Sequence, residues 1–293
     1  MKIKRILYVS IFFAWVMCGT GCVDQSSKGQ DKEERTVVGT SVTICEILDA
    51  LEIDEVIGVP DTTGSIPRRY HAATTIGAAM NPDMEILSSL APTYVISPKS
   101  LESDLRPQYE NSGLDNYFVD LSSLEGMYQA ISELGVMFGK EVKADTLNEE
   151  FKQYLESYAQ ELAEAKHPRV LILMGLPGSY VVGTNKSYIG NLVEYAGGEN
   201  VYAKGTEAFL NINPEDMIKQ QPDVILLAAH ALPEQVEKMF AEEFAKNDIW
   251  KHFDAVNNQR VYTLNHQHFG MSANLHYQAA LYDLKELLHE KAK

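Results

Sequence analysis

The sequence predicts an α/β protein of two lobes joined by a long helical connection, and three observations carry that reading. None of its eleven prolines falls between Pro107 and Pro168, so a long helix is sterically open there, between two proline-bearing segments. On each side of this stretch, short β-branched runs alternate with amphipathic segments, reading strand, helix, strand, helix. A motif also recurs. Glu85 stands seven residues before Pro92 and the run Tyr94-Val95-Ile96, and Glu215 stands seven before Pro222 and Val224-Ile225-Leu226, a constant offset of 130. Any short helix feeding a strand looks like this, but these two copies flank the proline-free stretch, as the halves of an internal duplication would.

Taken in order, residues 1–21 read as a secretion signal. Lys2, Lys4 and Arg5 precede an apolar run from Ile6 to Met17, and Gly19, Thr20 and Gly21 precede Cys22. The run is short for a permanent membrane span. Small residues followed by cysteine resemble a lipoprotein processing site, in which Cys22 is diacylated and becomes the new N-terminus, although Gly19 stands where such sites usually carry leucine. Residues 22–35 are then a flexible linker, and Ser26, Ser27, Gly29, Asp31, Glu33 and Glu34 offer nothing to a core.

The whole chain carries a formal charge of −16, and loss of the three cations of the signal leaves it at −19. A surface that acidic repels nucleic acid and anionic lipid. With Cys18 removed and Cys22 acylated, only Cys45 remains, so the exported domain has no internal disulfide.

The first lobe, residues 36–121, opens with a strand at Val37 to Thr40. Ser41 and Thr43 cap a helix with the inner face Ile44, Ile47, Leu48 and Leu51. Val56 to Val59 is the next strand, followed by the polar loop Pro60-Asp61-Thr62-Thr63-Gly64-Ser65. Ile76 and Gly77 lead to Met80, and Asn81-Pro82-Asp83 starts a short helix reaching Leu90. Tyr94 to Ser97 is a strand, Leu101 to Ser112 a helix and Tyr117 to Asp120 the last strand. Residues 122–167 are the helical backbone. Met127, Ile131, Leu134, Met137 and Phe138 form one stripe, and Ala144, Leu147, Phe151, Tyr154, Leu155, Tyr158 and Leu162 a second, with Gly139-Lys140 between them. The second half alone spans about 30 Å.

The second lobe, residues 168–293, begins with a strand at Val170 to Met174 and a glycine-rich loop through Gly178. Tyr188 to Ala196 is helical, Pro214 to Gln220 a short helix and Val224 to Ala228 a strand ending near His230. Pro233 to Asn247 is a long helix, Val261 to Leu264 a strand, and Asn274 to His289 the closing helix.

No Gly-x-Ser-x-Gly elbow, phosphate-binding loop, His-Glu-x-x-His or Cys-x-x-Cys occurs in the chain, which predicts a carrier rather than an enzyme. The lipoprotein-like leader, the two lobes, the helical backbone and the Glu-x6-Pro repeat together resemble the substrate-binding lipoproteins of iron-uptake ABC transporters, the class that handles siderophores, cobalamin and haem. Three segments are similar to the haem-binding members of that class: Gly77-Ala78-Ala79-Met80-Asn81-Pro82-Asp83-Met84-Glu85, Ala228-Ala229-His230, and Phe269-Gly270-Met271-Ser272-Ala273-Asn274-Leu275. The resemblance implies two Rossmann-like lobes of the class III periplasmic-binding-protein type.

The resemblance further implies that haem is the transported ligand, its iron held by Met80 from one lobe and His230 from the other. It also implies ABC permease subunits as partners, upstream surface proteins that donate haem, and a lipid-anchored position outside the cell membrane. Both residues would follow strand ends, where open α/β sheets bind ligands, and a thioether with an imidazole is a recognised axial pair. Taken alone, a methionine also fills core gaps and a histidine at a helix start bonds a carbonyl. Haem propionates would find amides at the helix start, Ser41 and Val42, and on the Thr62-Thr63 loop, with Arg68 and Arg69 nearby. Tyr180, Phe269 and Met271 complete the expected pocket. By the same resemblance Glu85 and Glu215 dock on permease arginines, although first-turn glutamates are also favoured by the helix dipole alone.

Two alternatives stay open on the sequence. A siderophore or cobalamin carrier would share the whole architecture. A zinc or manganese carrier would use His266 and His268, which share a face if they lie on a strand, with carboxylates completing the shell.

Overall fold

A computed structural model of the protein describes residues 35–62, 64–230 and 232–290. The secretion signal, Cys22, nearly all of the linker and Thr63 lie outside the described residues.

The first lobe is a parallel sheet covered on both faces. It comprises β1 (Val37–Gly39), α1 (Val42–Ala50), β2 (Val56–Val59), β3 (Thr74–Thr75), β4 (Gly77–Ala78), β5 (Asn81–Pro82), α2 (Met84–Leu90), β6 (Tyr94–Pro98), α3 (Glu102–Asn111) and β7 (Asn116–Val119). The sheet order is β3-β2-β1-β6-β7, every pairing parallel, while β4 and β5 form a separate two-residue antiparallel hairpin. Alternation along β1 sends Val37 to the face under α1 and Val38 to the face under α2 and α3, and both side chains are fully buried. Burial pushes the Cys45 thiol up to about 12, which keeps it protonated and chemically quiet.

The connection consists of α4 (Leu124–Phe138) and α5 (Glu141–Glu161). Ser123 caps α4, its Oγ accepting the Gly126 N–H at 3.1 Å. Gly139 ends it in the left-handed conformation (φ 67°), where a residue with a Cβ is disfavoured. The two helices pack side by side, with the Tyr128 and Phe151 rings stacked at 3.7 Å. The second helix touches both lobes: Lys143 pairs with Glu52 in the first at 2.9 Å, and the Tyr158 hydroxyl donates to the Leu281 carbonyl in the second at 2.7 Å.

The second lobe contains β8 (Arg169–Leu176), β9 (Ser179–Gly183), α6 (Tyr188–Tyr195), β10 (Glu199–Asn200), β11 (Phe209–Leu210), α7 (Pro214–Met217), β12 (Val224–Ala229), α8 (Pro233–Lys246), α9 (Asp254–Asn257), β13 (Val261–Thr263) and α10 (Tyr277–Lys285). Its sheet runs β11-β9-β8-β12-β13, with β10 beside the start of β8. The β8, β12 and β13 strands are parallel, and β9 and β11 run against their neighbours. Val170, Ile172 and Met174 face α6 and α10, whereas Leu171 and Leu173 face α8 and Trp250.

One apolar cluster runs without a break from α1 through α4 and α5 to α6 and α10, so the lobes share a core along the connection. The repeated motif is a repeated structure. Asp83 and Asn213 cap α2 and α7, Ala91 and Gln221 adopt the left-handed conformation (φ 45° and 48°), and buried Pro92 and Pro222 lead into β6 and β12.

Candidate ligand-binding cleft

The carboxyl ends of β6 and β7 and the loops around β9 and β11 enclose a cavity of about 290 Å³ lined by both lobes. Lys99 and Ser122 come from the first lobe, and Lys186, Tyr188, Phe209 and Met271 from the second. Strand ends are where open α/β sheets place ligands, because helix starts and backbone donors gather there.

The two expected iron ligands each follow a sheet strand, and neither lines this cavity. Past β3, the hairpin β4–β5 carries Ala79 and Met80 as its two-residue turn, and Met80 is 66% exposed. A methionine that filled a core gap would be buried; this thioether is held out by a short ladder. His230 directly follows β12, its backbone N–H donating to the Gly175 carbonyl at 3.0 Å, which extends the pairing with β8 by one residue. Its side chain is exposed, while partial desolvation holds its pKa below the usual histidine value. A lowered pKa keeps the ring neutral and its lone pair available at mildly acid pH.

At α1 the Ser41 Oγ accepts the Ile44 N–H at 3.3 Å, and Val42, half-buried, is the first helical residue. The first-turn amides before Ile44 are those a helix leaves without intrahelical partners. Thr62 is exposed and its Oγ1 accepts the Gly64 N–H at 3.0 Å. Arg69 is engaged elsewhere, bonded to Asp49 at 2.7 Å and to Asp54, which leaves Arg68 as the nearby cation.

Two expected pocket residues are elsewhere. Tyr180 pairs with Gly175 across β8–β9 and shares its face, the one covered by α8. Its ring lies against Phe240 and Trp250 and its hydroxyl donates to Glu243 Oε1 at 3.3 Å. Phe269 is fully buried in the shared core beneath the cleft, so only its neighbour Met271, 38% exposed, lines the cavity.

The histidine pair also departs from the expected geometry. His266 and His268 lie in a turn after β13 and not on a strand, so spacing i, i+2 gives no shared face. His268 Nδ1 is 2.9 Å from Asp283 Oδ2, and the described residues contain no group of three or more histidine, cysteine, aspartate or glutamate side chains placed to hold a metal ion. His276 instead reaches across the lobes to Glu46 on α1 at 3.5 Å. Burial raises the Glu46 pKa, and the His276 charge opposes that rise.

Glu85 and Glu215 both occupy the first turn of their short helices and are exposed. The sequence reading passed over Lys99 and Lys186. The available clue was position, since each stands between a strand end and a helix start.

A family model described as periplasmic binding protein matches residues 37–268. The high-affinity heme uptake system protein IsdE of Staphylococcus aureus (strain Newman) is 39% identical over 294 residues, covering 99% of this chain and all of the relative. The crystal structure of S. aureus IsdE complexed with heme superimposes with a TM-score of 0.83 at 39% identity, covering 87% of this chain and 99% of that one. An ABC transporter substrate-binding protein from Listeria monocytogenes EGD-e gives a TM-score of 0.84 at 42% identity, covering 88% and 100%.

Proposed function

The chain belongs to the periplasmic binding protein family, and on that premise we propose that it captures haem outside the membrane and delivers it to an ABC permease, with no catalytic turnover. The observation that carries this reading is the match over the full chain, at 39% identity, to a haem uptake protein. Met80 and His230 are the proposed iron ligands. One stands at a strand-end turn of each lobe, both are open to solvent, and the imidazole is biased to its neutral form. Filling both axial positions leaves no coordination site for oxygen chemistry, which suits carriage. The amides at the start of α1 and the Thr62 loop, with Arg68, are the proposed propionate donors. Cys22 is the proposed lipid attachment, so Cys22→Ala is expected to move the protein from the membrane fraction to the medium.

The test is the visible spectrum of the protein from Val23 onward, titrated with haemin. Wild type is expected to give a saturable six-coordinate, low-spin spectrum. Met80→Ala and His230→Ala are each expected to change that spectrum and weaken binding by roughly tenfold or more, ~1.4 kcal/mol per tenfold step. A wild-type titration without saturable spectral change would overturn the haem reading. An unchanged spectrum in both variants would overturn the ligand assignment.

A further inference from the structure

Several lysines of this acidic chain make no ion pair among the described residues, Lys140, Lys152, Lys166, Lys204 and Lys238 among them, but two others line the cavity between the lobes. Lys143, Lys219, Lys246, Lys251 and Lys285 each reach a carboxylate. Lys99 and Lys186, which line the cavity from opposite lobes, make no ion pair among the described residues. One carboxylate shares the lining, Asp120, and offsets one of the two lysines; its Oδ1 accepts the Ser122 N–H at 2.9 Å and the Ser122 hydroxyl at 2.6 Å, which leaves the two ammonium groups without a carboxylate bonded to them. The remaining polar lining is able to donate hydrogen bonds, apart from the Ser187 hydroxyl, which already donates to the Thr184 carbonyl at 2.7 Å. The first turn of α6 starts there, with Ser187 as its cap, and Ser100 and Ser272 add hydroxyls. Tyr188, 1% exposed, lines the same cavity. Its hydroxyl lies near the Asn274 backbone but makes no well-formed hydrogen bond.

We propose that this cavity is a carboxylate-binding site, with Lys99 and Lys186 closing on the anion from the two lobes. At about 290 Å³ it is at the lower limit of ligand pockets, roughly 300–1,000 Å³, so it takes a carboxylate arm or a small free dicarboxylate and not a whole tetrapyrrole. The anion has two sources of the same chemistry: one propionate of the transported ligand, the other staying at the start of α1, whose strand β1 neighbours β6, in which case the site rests on the haem reading above; or a free dicarboxylate that ties the lobes together. Met80 follows the edge strand β3, whereas the cavity lies at β6 and β7, the opposite side of the five-stranded sheet. Met80 accordingly does not line the site.

The test uses the full chain in detergent, as wild type, as the double variant Lys99→Met/Lys186→Met and as the double arginine variant. Each is titrated with haemin, with haemin dimethyl ester, whose carboxylates are capped, and with succinate. If a propionate occupies the site, the methionine variant is expected to bind haemin about tenfold or more weakly while its affinity for the ester is unchanged, and arginine retains binding. If the anion is free, succinate binds wild type and the arginine variant but not the methionine variant, and haemin binding is the same in all three. Affinities for haemin and succinate that the methionine variant leaves within twofold, or equal losses for haemin and its ester, would overturn the proposal. Failure of wild type to bind haemin would remove the haem reading alone, and the succinate titration would still decide the cavity.

Discussion

A Cβ added to Gly190 would lie 1.9 Å from the Thr184 carbonyl oxygen, a backbone atom that cannot swing aside. The first turn of α6 therefore sits against the loop after β9 only because this position has no side chain. Gly190→Ala is expected to lower stability by about 1–3 kcal/mol, read as a lower urea midpoint with unchanged slope. Gly270→Ala, with nothing within 4 Å of the added carbon, is expected to stay within about 0.5 kcal/mol and serves as the control. Such crowding is invisible in sequence, which shows a glycine but not its neighbours. The same holds for Phe269 and Tyr180. Their positions near strand ends were legible, but the side-chain direction was not, and one turned into the core while the other followed the face of Gly175 under α8. The strand end before His230 was legible from the apolar run Val224 to Ala228, whereas nothing around Met80 announced its hairpin, and it was the resemblance that singled out both residues.

The joint between α4 and α6 couples the connection to the second lobe. Asn191 Oδ1 accepts the Leu124 N–H at 2.9 Å, and Glu125 accepts the Tyr195 hydroxyl at 2.6 Å and the Asn191 amide at 3.2 Å. Burial alone would raise the Glu125 pKa, yet the bonds from Tyr195, Ser123 and Asn191 outweigh it and hold the carboxyl below its ordinary value. A carboxylate with a lowered folded-state pKa stabilises fully above its unfolded value and loses that contribution as pH falls through the folded one. Glu125→Gln is accordingly expected to narrow the stability difference between neutral and acid pH. The change is under about 1 kcal/mol, because the residue is exposed and screened. Chemical denaturation of both proteins at pH 7 and pH 3.5 checks it, and an identical pH dependence would exclude the role. Among elements, the longer strands and helices were legible because apolar periodicity survives over many residues. The β4–β5 hairpin was not, since two-residue strands have no period, and β9 was hidden in a glycine-rich run whose reversal depends on pairing with β8.

Across the whole molecule, the shared core and the bonds between lobes argue against a wide hinge. The Ala273 N–H donates to the Leu121 carbonyl at 2.7 Å, His276 meets Glu46 at 3.5 Å, and α5 contacts both lobes. Small-angle scattering with and without haemin is expected to show no measurable compaction, and a clear fall in radius of gyration would contradict this. At the same scale, the double variant Glu85→Arg/Glu215→Arg is expected to keep haemin affinity and lose uptake by cells. Uptake at the wild-type rate would remove the docking role. The repeat behind that prediction was legible as spacing, whereas its left-handed residues Ala91 and Gln221 gave no sign in composition. Its geometry also bears on symmetry. Two prongs alike in having a side-chain cap, a short helix, a left-handed reversal and a proline would suit two like sockets, as a pair of identical subunits would provide, and like sockets cannot tell one lobe from the other. Under the proposed docking, the way round in which the protein seats would then depend on what the lobes do not share: the Met80 hairpin on one, and the antiparallel strands β9 and β11 on the other.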